Sequence, residues 1–219
     1  MKKTAAFIVV SLFLLLMLAV SSCRDRLAID PKNFPTETYT PTATATPTPV
    51  QPQVIEDFPS NSIGQNSLGG VWFDYGAGGN AFGYYADSPG YDSSGYALHM
   101  TSTVAASCDY GVWLVTTLNA ATAAADLSHL TGIKFWAKDV NAEQLRFVFL
   151  SDNTSNNYQF TYTAPSAWTQ VTLPFASFTQ TTTDTVTVTQ ALKAVKRIAW
   201  VNGGCNETMD LWLDHIEFY

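Results

Sequence analysis

An all-β, antiparallel sandwich is the fold class that the sequence predicts for residues 54–219, and three observations predict it. Short runs of alternating apolar and polar residues recur along this stretch, Gly, Asn, Asp, Ser and Pro punctuate them, and helical periodicity is nearly absent. Parallel strands need long crossovers, so a chain without long helices favours antiparallel connections. A stretch of this length can also bury a sizeable core.

The elements follow in chain order. Lys2 and Lys3 precede an apolar run from Ala5 to Val20, and Val20-Ser21-Ser22-Cys23 follows. Charge, apolar stretch and small residues arrive in the order of a secretory signal, which places a signal peptide at residues 1–22. A Cys after an aliphatic-small-small triplet resembles the bacterial lipobox, which implies that Cys23 is lipidated and becomes the mature N-terminus. Acyl chains contribute roughly 0.8 kcal/mol per buried CH₂, so Cys23 would anchor the chain to a membrane. The expected location is the bacterial cell envelope; Arg24 in place of Asp after the Cys points to the outer membrane or cell surface if the source is Gram-negative. Residues 23–53 carry no periodic pattern, and Pro35 to Pro49 is a Thr- and Pro-rich segment that reads as an extended linker.

Within residues 54–219, Gly132 to Lys138 sets Ile133, Phe135 and Ala137 against Lys134, Trp136 and Lys138. Leu145, Phe147 and Phe149 alternate with Arg146, Val148 and Leu150 in the same way. Further strand-like runs are Val54 to Phe58, Val71 to Tyr75, Tyr96 to Thr101, Tyr110 to Thr116, Tyr158 to Thr163, Thr169 to Leu173, Arg197 to Asn202 and Leu211 to Tyr219. Ala120 to Asp126 is Ala-rich and is expected to form one short helical turn. In the last run Leu211 and Leu213 share one parity and Ile216 and Phe218 the other, which predicts a bulge near Asp214-His215.

Composition narrows function. The chain is 47% hydrophobic, 13% aromatic and 13% charged, with 18 acidic against 11 basic residues. A surface so poor in Lys and Arg does not neutralise a row of phosphates, which excludes nucleic acid as a partner. His99, His129 and His215 show no paired metal-ligand spacing, no GxSxG motif is present, and Glu56 and Asp57 point to opposite faces of one strand. Gly76 to Ala81 fits a dinucleotide fingerprint in letters only, because Phe82-Gly83-Tyr84-Tyr85 follows instead of a helix. No enzyme is expected. Most aromatic residues alternate into the core, whereas Tyr75, Tyr84, Tyr85, Tyr91, Tyr110 and Tyr158 lie among Gly, Asn and Asp and are recognition candidates. Carboxylates and loop carbonyls suit calcium better than zinc.

Five landmarks in order carry a resemblance: Val54-Ile55-Glu56-Asp57-Phe58; Leu68 to Tyr75; Asp126 to Lys138; Trp168 to Phe178; and Leu211 to Tyr219. Together they resemble family 11 carbohydrate-binding modules and the related complex I intermediate-associated protein 30 domains, over essentially all of residues 54–219. The resemblance implies a galactose-binding-domain-like jelly roll that binds β-glucan or a related polysaccharide non-catalytically, as a monomer, in a cleft on one sheet. It carries Tyr75, Asp109 and Tyr110 over to the carbohydrate site, where rings stack on sugar faces and polar groups fix hydroxyls; Tyr85 and Tyr158 join them from the reading of tyrosines among polar residues, and Asn202 from its place at a family cleft position. It implies a structural Ca²⁺ where the first and last strands meet, with Glu56 or Asp57 together with Asp214 as side-chain ligands. It also places Cys108 and Cys205 at one end of the sandwich, where an exported domain would join them in a disulfide. The chain departs from the family in two places. Thr179 to Asp184 replaces a basic stretch followed by an acid and a tyrosine, and Asn202 stands where a cleft tyrosine is expected. A lipoprotein that keeps the fold for structural or protein-interaction purposes is therefore the second reading.

Overall fold

The computed structural model describes residues 54–219 apart from 77–80, 94, 105–110, 121–122, 183, 203 and 206. Its strands are β1 (Val54–Glu56), β2 (Trp72–Gly76), β3 (Ala81–Asp87), β4 (Ala97–Thr103), β5 (Val112–Thr117), β6 (Gly132–Asp139), β7 (Gln144–Ser151), β8 (Tyr158–Thr163), β9 (Thr169–Pro174), β10 (Thr179–Gln180), β11 (Val195–Asn202) and β12 (Thr208–Phe218). They form two six-stranded antiparallel sheets. Sheet 1 runs β3-β4-β12-β6-β9 with β1 added against β12, and sheet 2 runs β10-β8-β7-β11-β5-β2. The expected sandwich is what the chain forms.

Alternation builds the core between the sheets. Strand β6 sends Ile133, Phe135 and Ala137 inward at 0% exposure, while Lys134, Trp136 and Lys138 stay partly exposed on the other face. Strand β7 does the same with Leu145, Phe147 and Phe149. At the centre Trp200 of β11 meets Phe147 at 5.1 Å, Phe135 at 5.4 Å and Trp72 at 5.9 Å between ring centroids. Edge-to-face and offset pairs of this kind add about 0.5–1.5 kcal/mol each beyond the area they bury.

The expected bulge in the last strand is present. The pairing of β12 with β6 shifts register between Asp214 and Glu217, and His215 has φ 44°. Leu211, Leu213, Ile216 and Phe218 consequently all point into the core at 0–1% exposure. Two expectations are corrected. Among the described residues of the Ala-rich stretch, Ala125 bridges Val195 rather than turning helically; the short helix α1 is Val188–Ala191, closed by a capping box between Thr187 and Gln190. Residues 81–87, absent from the strand-like runs because Gly83 and the Tyr84-Tyr85 pair obscure the alternation, form strand β3.

Strand β2 is positioned by a single buried amide. Asn66 Oδ1 accepts from the Leu68 and Gly70 N–H groups, at 3.0 and 2.8 Å, and its Nδ2 donates to Thr116 Oγ1 and the Thr117 carbonyl, both at 2.8 Å. Gly70 is required there, since a Cβ would lie 1.8 Å from the Thr117 oxygen. The turn so fixed delivers Trp72 inward and Phe73 and Tyr75 outward.

Asp139, at 0% exposure, accepts from the Asn141 and Asp210 backbone N–H groups through Oδ1, while Oδ2 has no partner. Burial raises its carboxyl pKa, the two backbone hydrogen bonds only partly offsetting that, and Glu143 and Asp210 add repulsion. The native state thus holds this proton more tightly than the unfolded chain. The resulting stability is fully present below the unfolded pKa of about 3.9 and is lost as pH rises through the higher native value. Asp139→Asn keeps the Oδ1 acceptor and removes the charge, so thermal unfolding should show it more stable than the parent at pH 7, by on the order of 1 kcal/mol, with the difference vanishing near pH 3.

Candidate functional site

The face of sheet 2 turned away from the core carries side chains of outward parity from all six strands. Strand pairing sets Tyr75 of β2 beside Trp113 of β5, Trp113 beside Val201 of β11, Val201 beside Arg146 of β7, and Arg146 beside Thr161 of β8. One step along, Phe73, Val115, Ala199, Val148, Gln159 and Thr179 form a parallel row. A third row holds Thr117, Arg197 and Leu150. With strands about 4.8 Å apart, the first row crosses roughly 19 Å of sheet.

These rows have a profile. Val115, Val148, Ala199 and Val201, at 0–4% exposure, form an apolar cluster separate from the main core, and Phe73, Trp113 and Leu150 pack against it. Small residues make the floor, and rings rise at the β2–β5 side, where Tyr75 is 42% exposed. Polar groups stand at the β7–β8 side. Burial lowers the Arg146 pKa, a desolvation effect that still leaves the guanidinium charged. The Arg197 guanidinium carbon lies 5.6 Å from the Phe73 ring centroid, and its Nε is buried without a hydrogen-bond partner. Gln159 Oε1 is likewise buried and unpartnered. Ring faces, an apolar floor and unmatched hydrogen-bonding atoms are the means by which a protein surface holds a sugar.

The expected carbohydrate residues divide. Tyr75 is in this face. Asp109 and Tyr110 lie outside the described residues. Tyr158 is not a cleft residue: at 4% exposure it stacks on Phe149 at 5.2 Å and 6°, donates its hydroxyl to the Val186 carbonyl and accepts from Gln180 Nε2. Its parity in β8 is inward, alongside Phe160 and Tyr162, and that is why it is core. Asn202, at 0% exposure, is also inward, and its Oδ1 accepts from the Gly204 N–H. Tyr85 is 47% exposed but belongs to sheet 1, where it lies 4.9 Å from the His99 ring. The residues missed from sequence are Trp113, Arg146, Gln159 and Arg197, whose alternation was visible but whose face was not.

The outward face of sheet 1 is aromatic as well, though differently built. Tyr91 stacks on Trp136 at 3.7 Å, His99 stacks on Trp212 at 3.9 Å, and Lys138 Nζ sits 4.0 Å from the Trp212 ring centroid. His99 is held between Asp87 at 3.1 Å and Asp210 at 2.7 Å. Here rings and charges are spent on one another.

The expected calcium ligands lie near the β12 bulge, each engaged by protein groups. Glu56 accepts from the Asp57 and Phe58 N–H groups and from the Trp72 indole N–H, and burial raises its pKa. Asp57 Oδ1 is 2.8 Å from His215 Nδ1. Asp214, its pKa raised by burial and secondarily by Asp57 and Asp92, accepts from the Tyr91 and His215 N–H groups at 2.9 and 2.8 Å. Among the described residues no three His, Cys, Asp or Glu side chains converge as a metal site. Cys205 lies in the turn between β11 and β12; Cys108 lies outside the described residues, as does Cys23.

No protein family is matched by the sequence, and no curated protein matches it either. Solved structures do match. The family 11 carbohydrate-binding module of the cellulosomal cellulase Lic26A-Cel5E of Clostridium thermocellum is similar at 18% identity with a TM-score of 0.57, over 78% of this chain and 95% of that one. A family 11 module from the same organism, in complex with a β-1,3-1,4-mixed-linked tetrasaccharide, matches at 17% identity and a TM-score of 0.58, covering 78% and 96%. A family 30 carbohydrate-binding module matches at 13% identity and 0.53, covering 76% and 87%. The chain therefore has the jelly-roll fold of carbohydrate-binding modules.

Proposed function

We propose that this protein binds a polysaccharide non-catalytically on the outward face of sheet 2, and that it does so as a lipoprotein held at the cell envelope through Cys23. The observation that carries the reading is the row Tyr75, Trp113, Val201, Arg146 and Thr161, which lays ring faces, an apolar floor and polar donors across adjacent strands. Strands on both sides of β11 hold these groups in place before a ligand arrives, so little ordering cost is added on binding. The role assigned to the protein is retention rather than turnover. The reading that the fold serves only structure or protein contacts draws on the inward turn of Asn202 and the Thr-rich stretch from Thr179.

Retention of the purified mature chain on insoluble polysaccharides, or its retardation in gels containing soluble ones, separates the two. Tyr75→Ala and Trp113→Ala should each weaken binding about tenfold or more, or roughly 1.4–2 kcal/mol, with the fold intact. Tyr158→Phe should lower stability by about 1 kcal/mol and leave retention unchanged. Unaltered retention in both ring variants, or retention of no glycan, overturns the reading.

Calcium belongs to it as a structural ion. Asp57 and Asp214, which feel each other's charge, are the side chains assigned to hold it, with backbone carbonyls completing the shell; Glu56 is occupied with the Trp72 indole and two backbone N–H groups. Added Ca²⁺ should raise the unfolding temperature of the parent and not that of Asp214→Asn; equal response in both removes the assignment. A disulfide between Cys108 and Cys205 is also part of the reading. Intact mass of the mature protein, before and after reduction, checks both cysteine assignments: acyl chains on Cys23 and a two-proton deficit for the pair are expected, and a chain with no lipid and two alkylatable thiols contradicts them.

A further inference from the structure

The folded domain has six cations against fifteen acids, and their placement is uneven. Lys134 pairs with Glu217, Lys196 pairs with Asp152 at 2.9 Å, and Lys138 lies over the Trp212 and Trp168 rings. Arg146 and Arg197 are the two arginines of residues 54–219, and both rise from the outward face of sheet 2. Neither has an ion pair among the described residues. No Asp or Glu has outward parity in any strand of that sheet: the positions are Phe73, Tyr75, Trp113, Val115, Thr117, Gln144, Arg146, Val148, Leu150, Gln159, Thr161, Thr163, Thr179, Arg197, Ala199 and Val201. In a domain this acidic, two unneutralised guanidinium groups on one carboxylate-free sheet face are an arrangement that asks for a counter-charge.

Their environment sharpens this. Arg146 is flanked by Val201 and Thr161, and Arg197 stands over Phe73 with a buried Nε that nothing accepts from. A partly desolvated guanidinium gains most from an acceptor that is itself charged and planar, because two parallel N–H donors then meet two oxygens. Sugar hydroxyls alone would satisfy single donors and leave both charges uncompensated. Val201, the neighbour of Arg146, is four residues along β11 from Arg197, so the two Cα positions are separated by roughly 14 Å. The Arg197 head is turned across β5 to Phe73 of β2, away from β7, so one small anion does not meet both. A chain bearing repeated anionic groups does, while its sugar rings lie on Tyr75, Trp113 and the small-residue floor between.

We propose that the polysaccharide bound by sheet 2 is anionic, a polymer whose sugar units carry carboxylates, with Arg146 and Arg197 each receiving one carboxylate of the chain. The proposal rests on the polysaccharide-binding reading and names its ligand class.

The test uses the mature chain in affinity gel electrophoresis against polygalacturonate, alginate and hyaluronan, each beside its carboxyl-reduced neutral form, with dextran sulfate and a neutral mixed-linkage β-glucan alongside. Tighter retardation by at least one carboxylated polymer, by tenfold or more over its reduced form, is expected. Arg146→Gln and Arg197→Gln should each remove most of that preference, weakening retardation by the carboxylated polymer several-fold more than retardation by its reduced form; Arg146→Lys and Arg197→Lys, which keep stem and charge without the fork, should fall between. Unfolding temperatures of all four verify that the lysine forms, at least, are folded. Equal or tighter binding of the neutral forms, or a preference that the arginine replacements do not alter, overturns the anionic assignment and leaves the polysaccharide reading standing. Preference for dextran sulfate over every carboxylated polymer overturns the carboxylate assignment. Retention by no polymer of either charge overturns the polysaccharide reading itself, and this assignment with it.

Discussion

Strand β11 is hydrogen-bonded along both edges, to β5 on one side and β7 on the other, and the rest of the molecule is organised by that constraint. A strand with two partners has no free edge, so each side chain leaves either towards the other sheet or away from it. Ile198 and Trp200 leave inward and form the meeting point of Phe135, Phe147 and Trp72; Arg197, Ala199 and Val201 leave outward and form the floor and one polar wall of the proposed site. The register shift between Val195 and Arg197 sets this phase. A slip of one residue would put Arg197 in the core and Trp200 in solvent, so core and site are specified together.

Sheet 1 is governed by the corresponding constraint at β12, with a different outcome on its outward face. The bulge at Asp214-His215 lets both halves of the strand supply the core, and it turns Asp214 to receive the Tyr91 backbone N–H. Tyr91 is thereby held on Trp136, and the rings, His99 and Lys138 close on one another. On sheet 2 the outward rings flank a floor of Val and Ala, with Tyr75 beside Trp113 and Arg197 over Phe73. The outward face of sheet 2 also holds Arg197 Nε and Gln159 Oε1, buried atoms without a hydrogen-bond partner.

Period-two alternation made the sandwich, most strand positions and the β12 bulge legible in the sequence, because a core position in a strand is constrained at every second residue. It could not say which parity faces the core when both are apolar. Val112 to Thr117 is buried on both faces apart from a partly exposed Trp113, so alternation alone gives Trp113 no face. Tyr158 and Tyr75 look alike as tyrosines at strand ends among polar residues; only the pairing of β8 with β7, which puts Tyr158 opposite Phe149, separates them. Asn202 resembled a site residue by position and is inward by parity. Strand β3 was hidden because Gly83 supplies no side chain to the alternation. Arg146 and Arg197 are 51 residues apart in sequence, and nothing local announces that sheet pairing will put them on one face.

The charge distribution of the domain follows from the same geometry. An unpaired cation is costly in a core, and an acid is costly beside a desolvated face, so outward positions over an apolar floor tolerate few ionisable groups of either sign. On sheet 1 the problem is solved by pairing, as in His99 between Asp87 and Asp210 and Lys134 beside Glu217. On sheet 2 it is solved by excluding acids altogether while keeping two arginines, whose long apolar stems cover the floor and whose heads reach its rim. Such a face is stable without a partner only because the guanidinium is weakly hydrated and rests on an aromatic ring, as Arg197 does on Phe73. Covering the floor without carboxylates is what keeps the guanidinium donors available to a ligand, so the solvation requirement of sheet 2 and its recognition chemistry are met by the same two side chains.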